Sequence, residues 1–206
     1  DGIQVNQAQK EGVTPLHVAC QKGRLDVVKE LLKTDDIKVN QATDGGWTPL
    51  YFASQDNHLD IVKELLNAEG IRVNQANNHD ATPLLIACQM GHSDVVKELL
   101  NADGIQVNQA DQYEWTPLYI ACHLGHFDVV KALIETKEID LNKMNLGTTP
   151  LGIALLGEHA GIVTMLKTNG ASSHWAETKY LWVNQLVSLL HKKISEILSI
   201  CLITNK

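Results

Sequence analysis

The stretch TPLHVACQKGRLDVVKELLKTDDIKVNQATDGGW, residues 14–47, is one period of a repeating sequence. Its opening triplet Thr-Pro-Leu begins at positions 14, 48, 82, 116 and 149, so successive intervals are 34, 34, 34 and 33 residues. All 5 prolines of the chain lie in these triplets. Between the periods that begin at Thr48 and Thr82, 20 of 34 positions are identical. A period of this length predicts an array of stacked structural units.

Each period carries the signals of two short helices. Thr14 is a good N-cap, and the proline after it suits the first helical position because its missing N–H would have no partner there. Gly23 is expected to end this helix in the left-handed conformation. A second helix is predicted over Leu25–Leu32, whose apolar residues have helical spacing. Asp26 in its first turn can pair with Lys29.

A loop with a nearly constant sequence joins each period to the next. The octet DGIQVNQA occurs at residues 1–8 and returns unchanged at residues 103–110, with related octets at residues 35–42 and 69–76. Its alternating Ile-x-Val predicts a short extended piece, and the polar Thr43–Gly46 predicts a turn. Residues 1–8 are therefore expected to be the tail of an earlier unit in a longer array.

A single period is too small to be stable alone. About seven large apolar side chains contribute roughly 10–20 kcal/mol at most, whereas fixing each backbone residue costs roughly 1–2 kcal/mol. Stacking the units covers their apolar faces, so we expect the array to be the stable object.

Charge and cysteine content narrow the class of protein. The net charge is −7 and no basic run is present, so sequence-independent binding to nucleic acid phosphates is not expected. Cys20, Cys88 and Cys122 share one position of the period, and helices of neighbouring units pack about 8–10 Å apart, too far for a disulfide. We interpret them as buried hydrophobic residues in a reducing compartment. An intracellular, cytoplasmic location follows, with the nucleus as the alternative.

The recurring Thr-Pro-Leu-x-x-Ala motif, in phase with Val-Asn, resembles the ankyrin repeat family. The full family motif, TPLHVA, occurs only at residues 14–19. The resemblance implies an all-α ankyrin-repeat solenoid, with a helix–turn–helix and a β-hairpin loop in each of about five repeats. It also implies that the family's His–Thr hydrogen bond is lost wherever the histidine is replaced, which is the case at Tyr51, Leu85, Tyr119 and Gly152.

We predict an array over residues 1–173 and a C-terminal helical cap over residues 174–206. The array divides into a partial repeat at 1–11 and repeats at 12–45, 46–79, 80–113, 114–146 and 147–173. The last repeat is degenerate: Glu158 takes the cap-glycine position, and the hairpin loop is one residue shorter. That is typical of an end unit.

The segment 174–206 has apolar residues at helical spacing. Lys192, Lys193 and Glu196 interrupt it, which argues against a membrane span. Besides a cap, two interpretations stay open: a helix that docks to another protein, and a helix that lies on a membrane surface.

The sequence offers no catalytic constellation. His58, His92, His126 and His159 share one position of the period, so they are too far apart to ligate one metal ion, and we interpret them as structural. No Cys-x-x-Cys pair, phosphate-binding glycine loop, GxSxG or HExxH motif occurs. We therefore expect no enzyme activity, no cofactor and no metal.

The positions that vary between units are the candidates for binding. They include the hairpin tips, which are Lys10-Glu11, Asp44-Gly45, Asn78-His79-Asp80 and Gln112-Tyr113-Glu114. The resemblance implies that the tips and the ends of the first helices line a concave groove that contacts partners. The candidate residues are Trp47, Tyr51, Asp56, Met90, Tyr113, Trp115, Tyr119, His123 and Leu124.

Two interpretations of these residues compete. In the first, the aromatic side chains of units two and four form two walls, and an acidic rim of Asp44, Asp56, Asp80 and Glu114 suits a basic and apolar peptide or protein surface. In the second, each tryptophan is a hydrophobic staple, Trp47 against Phe52 and Trp115 against Ile120. Met90, Leu124 and Leu156 would then lie under the C-terminal segment.

The pattern favours a non-enzymatic, monomeric module that binds a protein or peptide partner. One alternative is a targeting or regulatory segment of a longer enzyme, channel or secreted host-directed effector. Another is a purely structural spacer.

Overall fold

The chain folds as a stack of helix pairs in the computed structural model, which describes residues 4–172. A 3-10 turn at Lys10–Gly12 precedes the first pair. The pairs are α1 Pro15–Gln21 and α2 Leu25–Leu32, α3 Pro49–Gln55 and α4 Leu59–Leu66, α5 Pro83–Met90 and α6 Ser93–Leu100, α7 Pro117–Leu124 and α8 Phe127–Ile134, and α9 Pro150–Leu156 and α10 Ala160–Thr168. The predicted all-α solenoid is confirmed, and the predicted cap over 174–206 lies outside the described residues.

The helices form two layers that share one apolar interior. Odd-numbered helices pack against odd-numbered neighbours, and even-numbered helices pack against even-numbered ones. The two helices of each pair also pack against each other. The leucine of every Thr-Pro-Leu triplet is at most 1% exposed. Val28, Val62, Val96 and Val130 of the second layer are fully buried. The units therefore depend on one another for burial, as the single-period estimate requires.

The predicted helix starts are confirmed in all five described pairs. Each triplet threonine has extended backbone, and its Oγ1 accepts a hydrogen bond from the backbone N–H of the third helical residue. Thr116 is representative, with its Oγ1 3.1 Å from the Tyr119 nitrogen. The proline follows in the first turn, where it displaces no hydrogen bond.

The Val-Asn segment does not form the predicted extended strand. Val39 and Asn40 lie in a turn, and the β-bridge found among the described residues is the isolated pair Asn145 and Thr148. Asn40 instead reaches the next loop: its Nδ2 donates to the Gly70 carbonyl at 2.7 Å, and its Oδ1 accepts from the Arg72 N–H at 2.8 Å. The octet is therefore repeated because it ties one unit to the next.

The same asparagine bonds recur along the array. Asn6, Asn74 and Asn108 each donate to a carbonyl 30 residues on and accept from a backbone N–H 32 residues on. At the end of the described chain, Asn142 accepts from the Ser172 N–H at 2.7 Å. We call this set the asparagine ladder.

The residue that ends each first helix adopts positive φ, as predicted. Gly125 has φ of 77°, and a Cβ there would lie 2.5 Å from the His159 ring, so two requirements select glycine. Asn57 and Glu158 take the same position without being glycine, with φ of 60° and 56°. A left-handed non-glycine residue costs about 1–2 kcal/mol, which asparagine tolerates better than glutamate.

Glu158→Gly is expected to raise the free energy of unfolding by about 1 kcal/mol, because it relieves the positive φ. Urea unfolding followed by circular dichroism measures the change. Glu158→Ala is the matched control, since alanine removes the carboxylate but keeps the strained backbone. Equal gains from both variants would show that charge, and not backbone conformation, is responsible.

The buried cysteine position is confirmed in three of the five units, while the second unit has serine there and the fifth has Leu155. Cys20, Cys88 and Cys122 are free and fully buried, and Ser54 occupies their position in the second unit, also fully buried. Among the described residues, the Ser54 hydroxyl is one of the buried polar atoms without a hydrogen-bond partner. A buried unpaired hydroxyl costs about 1–3 kcal/mol.

Ser54→Cys is therefore expected to stabilise the protein by about 1–2 kcal/mol, since the neighbouring units hold a thiol in the same place. The reciprocal change Cys88→Ser should destabilise it by a similar amount. Thermal unfolding of both variants under reducing conditions tests the pair. A loss of stability in Ser54→Cys would mean that the hydroxyl has a partner.

Ion pairs differ from the local prediction. The spacing allows Lys29 to pair with Asp26 in its own helix, but its Nζ lies 3.1 Å from Glu64 Oε1 of the next unit. The expected spacing occurs in α6, where Lys97 Nζ lies 3.0 Å from Asp94 Oδ1. Such exposed pairs contribute about 0–1 kcal/mol each, so packing decides the fold.

Candidate functional site

The hairpin tips are aligned in one row by backbone hydrogen bonds. Asp44 N–H donates to Glu11 O at 3.0 Å, Asn78 N–H to Gly45 O at 3.1 Å, and Gln112 N–H to His79 O at 3.0 Å. Each bond joins one tip to the next. We define the tip row as residues 10–12, 44–46, 78–80, 112–114 and 144–147.

Side-chain and backbone bonds fix the shape of each tip. The Thr43 N–H donates to the Trp47 carbonyl at 3.0 Å, closing the hairpin around the tip. In the fourth unit Asp111 Oδ1 accepts from the N–H groups of Tyr113 and Trp115, each at 2.9 Å. Burial raises the pKa of this carboxyl, and the two N–H bonds oppose that rise. These bonds therefore fix the backbone conformation of the tips and the places from which their side chains project.

The last tip is shorter, as the sequence predicted. Its closing bond joins Asn145 N–H to the Thr148 carbonyl, three residues on, whereas Asp111 N–H bonds Trp115, four residues on. Leu146 adopts φ of 46° and Gly147 φ of 79° in this tighter turn. Met144 and Leu146 of this tip are 42% and 64% exposed.

Trp47 combines the two roles that the sequence left open. Its ring lies 6.2 Å from that of Phe52, which confirms the predicted staple, and it also covers Gly45. The side chain is nevertheless 37% exposed. Its backbone carbonyl lies 3.1 Å from His17 Nε2.

His17 ties the first unit to that carbonyl. Its Nε2 faces the Trp47 carbonyl oxygen and must carry the proton, while Nδ1 accepts from the Thr14 N–H at 3.0 Å. Burial lowers the pKa of His17, which keeps the ring neutral as this arrangement requires. The bond that the resemblance implies is therefore present in the first unit, where Thr14 Oγ1 lies 2.8 Å from Nδ1.

Two of the candidate aromatic residues, which we expected at the surface, are buried. Tyr51 is 6% exposed and Tyr119 is 1% exposed, because both occupy the position of the buried His17. Burial raises the pKa of Tyr51 to about 12 and raises that of Tyr119 as well. The two aromatic walls are therefore reduced to Trp47 and Tyr113, the latter 64% exposed.

Trp115 packs along its own helix. Its ring lies 6.3 Å from that of Tyr119 and 5.9 Å from that of His123. The expected staple partner Ile120 is 1% exposed and belongs to the apolar core against which Trp115 packs. Trp115 and His123 are both half-buried, so this aromatic stack supports the fourth unit and shows an edge to solvent.

The remaining candidates lie at the ends of the odd-numbered helices. Met90 is 36% exposed, and Leu124 is half-buried against the core. Asp56 is half-buried, with the Gln55 Nε2 3.4 Å from its Oδ1. These ends change along the array, from Lys22 in the first unit to apolar Met90 and Leu124.

The repeated histidines bridge neighbouring units. The Nε2 of His58, His92, His126 and His159 lies 2.9–3.2 Å from a carbonyl at the end of the preceding first helix. These contacts give the histidines the structural role that we inferred. Within residues 4–172, no group of three or more His, Cys, Asp or Glu side chains is placed to hold a metal ion.

Comparison with known proteins agrees with this geometry. The family profile described as ankyrin repeats (3 copies) matches residues 1–77, 36–111 and 104–174. The chain belongs to the ankyrin repeat family. A search of curated proteins found no significant match.

Ankyrin repeats are generally protein–protein interaction modules and are typically non-enzymatic. In the described part of this ankyrin array, no helix has the length and apolar character needed to cross a membrane. The exposed Met144 and Leu146 of the array were missed by sequence reasoning. A signal was present in the sequence, because Leu146 lies in the loop that is one residue shorter and Met144 directly precedes that loop.

Proposed function

We propose that this ankyrin array is a non-enzymatic module that binds a protein or peptide partner through the tip row and the adjoining ends of the odd-numbered helices. The observation that carries the proposal is the division of the repeat. The tips vary between units and most of their residues are exposed, whereas the constant leucine of each Thr-Pro-Leu triplet is buried and the constant asparagines tie units together.

The composition of the exposed tips supports protein recognition. Trp47 and Tyr113 are large and rigid, and aromatic residues are enriched at the centres of protein interfaces. Asp44, Asp80 and Glu114 are exposed beside them. This combination favours a partner that carries basic and apolar side chains.

Affinity capture with the full chain tests the proposal. The bait is compared with a tip variant, Asp44→Ser/Asp80→Ser/Tyr113→Ser, and with a control variant on the even-numbered helices, Lys63→Ser/Asp94→Ser/Lys131→Ser. We expect at least one protein to be retained by the wild type and the control and lost by the tip variant. Capture of nothing that depends on the tips would favour a structural spacer instead.

We further propose that the array acts as a monomer in a reducing, cytoplasmic compartment. The free, buried thiols of Cys20, Cys88 and Cys122 support this location. Sedimentation at several concentrations and localisation of a tagged full-length protein test the two statements. Concentration-dependent assembly, or secretion into an oxidising compartment, would contradict them.

A further inference from the structure

We propose that the last two hairpin tips form an anchor for an apolar side chain of the partner, and that the acidic residues Glu114, Asp80 and Asp44 of the fourth, third and second tips hold basic residues of the same segment. The anchor patch consists of Tyr113, Met144 and Leu146. The inference rests on the proposed function and specifies its partner: an extended segment with Lys or Arg residues to one side of an aromatic or aliphatic residue.

The anchor patch is the densest group of exposed apolar side chains on the tip row. Eight large hydrophobic residues are exposed in the described part of the chain, and three of them are Tyr113 at 64%, Met144 at 42% and Leu146 at 64%. Asn145 lies between the last two and is 1% exposed. Its Nδ2 donates to the Tyr113 carbonyl, so one buried side chain holds the two tips together.

Neither core packing nor backbone preference accounts for leucine at position 146. Its side chain is largely exposed, and its φ of 46° is in the left-handed region, where glycine, asparagine or aspartate is favoured. Strained positions of this kind concentrate at binding sites. An apolar contact with a partner explains why position 146 is occupied by leucine.

The charges around the patch set the chemistry of the partner. Glu114 is exposed on the same tip as Tyr113, and Asp80 is exposed on the tip before it. Neither takes part in the three salt bridges between described residues. Lys143 lies on the other side, next to Met144, and is exposed. Basic partner residues are therefore favoured on the Glu114 side and disfavoured on the Lys143 side.

The repeat spacing sets the spacing of the partner residues. Neighbouring units stack about 8–10 Å apart, and three residues of an extended chain span about 10 Å. Glu114, Asp80 and Asp44 stand on consecutive tips. An extended segment that follows the tip row would meet one carboxylate at about every third residue beyond its apolar anchor.

Peptide selection with the full chain tests this inference. A random dodecapeptide library displayed on phage is selected against the immobilised protein, and enriched peptides are synthesised and measured by fluorescence anisotropy. We expect an aromatic or aliphatic residue with Lys or Arg on one side at a spacing of about three. Affinity should fall as salt is raised, because the tip carboxylates are exposed.

Four variants assign the binding surface. Leu146→Gly removes the anchor while relieving the positive φ, so it keeps the fold and should weaken binding by about tenfold. Glu114→Gln should weaken binding less and reduce its salt dependence. Met90→Ser, at the end of α5, tests whether the peptide binds the helix ends instead of the anchor patch. Val27→Ser, an exposed apolar residue of α2, should leave affinity unchanged.

The outcomes separate the anchor from the proposed function. Peptides that lack basic residues, or that lose affinity in Met90→Ser but not in Leu146→Gly, would overturn the anchor while leaving protein recognition intact. No enriched peptide would also overturn the anchor, and tip-dependent capture then decides the function separately. A photo-crosslinker at Tyr113 that joins residues 174–206 of its own chain in place of the peptide would show that the patch is covered internally.

Discussion

Tyr119→Ala is expected to lower the free energy of unfolding by about 3–5 kcal/mol, the range for deleting a large aromatic side chain from a core. Tyr119 is 1% exposed in α7, and its ring contacts that of Trp115 at 6.3 Å. Alanine would leave a cavity between the third and fifth units, because α7 packs against both α5 and α9. Urea unfolding followed by circular dichroism measures the loss.

Two matched variants show whether burial is the cause. Tyr113→Ala removes the same side chain from a position that is 64% exposed, and should change stability by less than about 0.5 kcal/mol. Tyr119→Leu places the residue that occupies this position in the third unit, where Leu85 is 2% exposed, and should cost less than about 1.5 kcal/mol. Equal effects of Tyr119→Ala and Tyr113→Ala would contradict the buried assignment.

The result bears directly on how partner binding is measured. Tyr119 and Tyr51 entered the candidate site as aromatic residues of a groove, yet both are buried. A loss of binding in their alanine variants would report partial unfolding. Recognition is tested without disturbing the core by substituting the exposed residues Tyr113, Met144 and Leu146.

Asn74→Ala is expected to destabilise the array by about 1–3 kcal/mol, since each of two lost hydrogen bonds contributes about 0.5–1.5 kcal/mol. The Asn74 Nδ2 donates to the Gly104 carbonyl at 2.8 Å, and Oδ1 accepts from the Gln106 N–H at 2.9 Å. Both bonds join the second unit to the third. Their loss should therefore also make the unfolding transition less cooperative, which calorimetry detects.

The ladder prediction has an isosteric variant and a control. Asn74→Asp keeps an acceptor for Gln106 but turns a carboxylate oxygen towards the Gly104 carbonyl, so its loss should shrink when acid protonates the new side chain. Asn101→Ala is the control, because Asn101 is exposed and bonds Glu98 through its backbone N–H. No difference between Asn74→Ala and Asn101→Ala would rule out a stabilising ladder.

The features that the sequence predicted correctly are those with local causes. A threonine before proline caps a helix through a bond to the third residue on, as Thr116 does. Gly125 ends its helix because of its own backbone freedom. The 34-residue period predicted the stacked arrangement of the units, since similar units cover one another's apolar faces only by stacking.

The errors arose where one unit meets another. The alternation of Ile and Val predicted a strand, but the side chain of Asn40 bonds to residues 70 and 72, which stabilises a turn that no local pattern shows. Lys29 forms an ion pair with Glu64 of the next unit and not with Asp26 of its own helix. The contacts that decided both cases lie 30 or more residues away in the chain.

By itself, the sequence determined that this chain is an array of helix pairs, where each helix begins and ends, and which positions vary. Only the tertiary structure decided which variable side chains reach solvent. Tyr119 and Tyr113 are both aromatic and lie six positions apart, yet α5 and α9 bury one while the hairpin turn exposes the other. Exposure depends on what the neighbouring units cover, and that is a property of the stack.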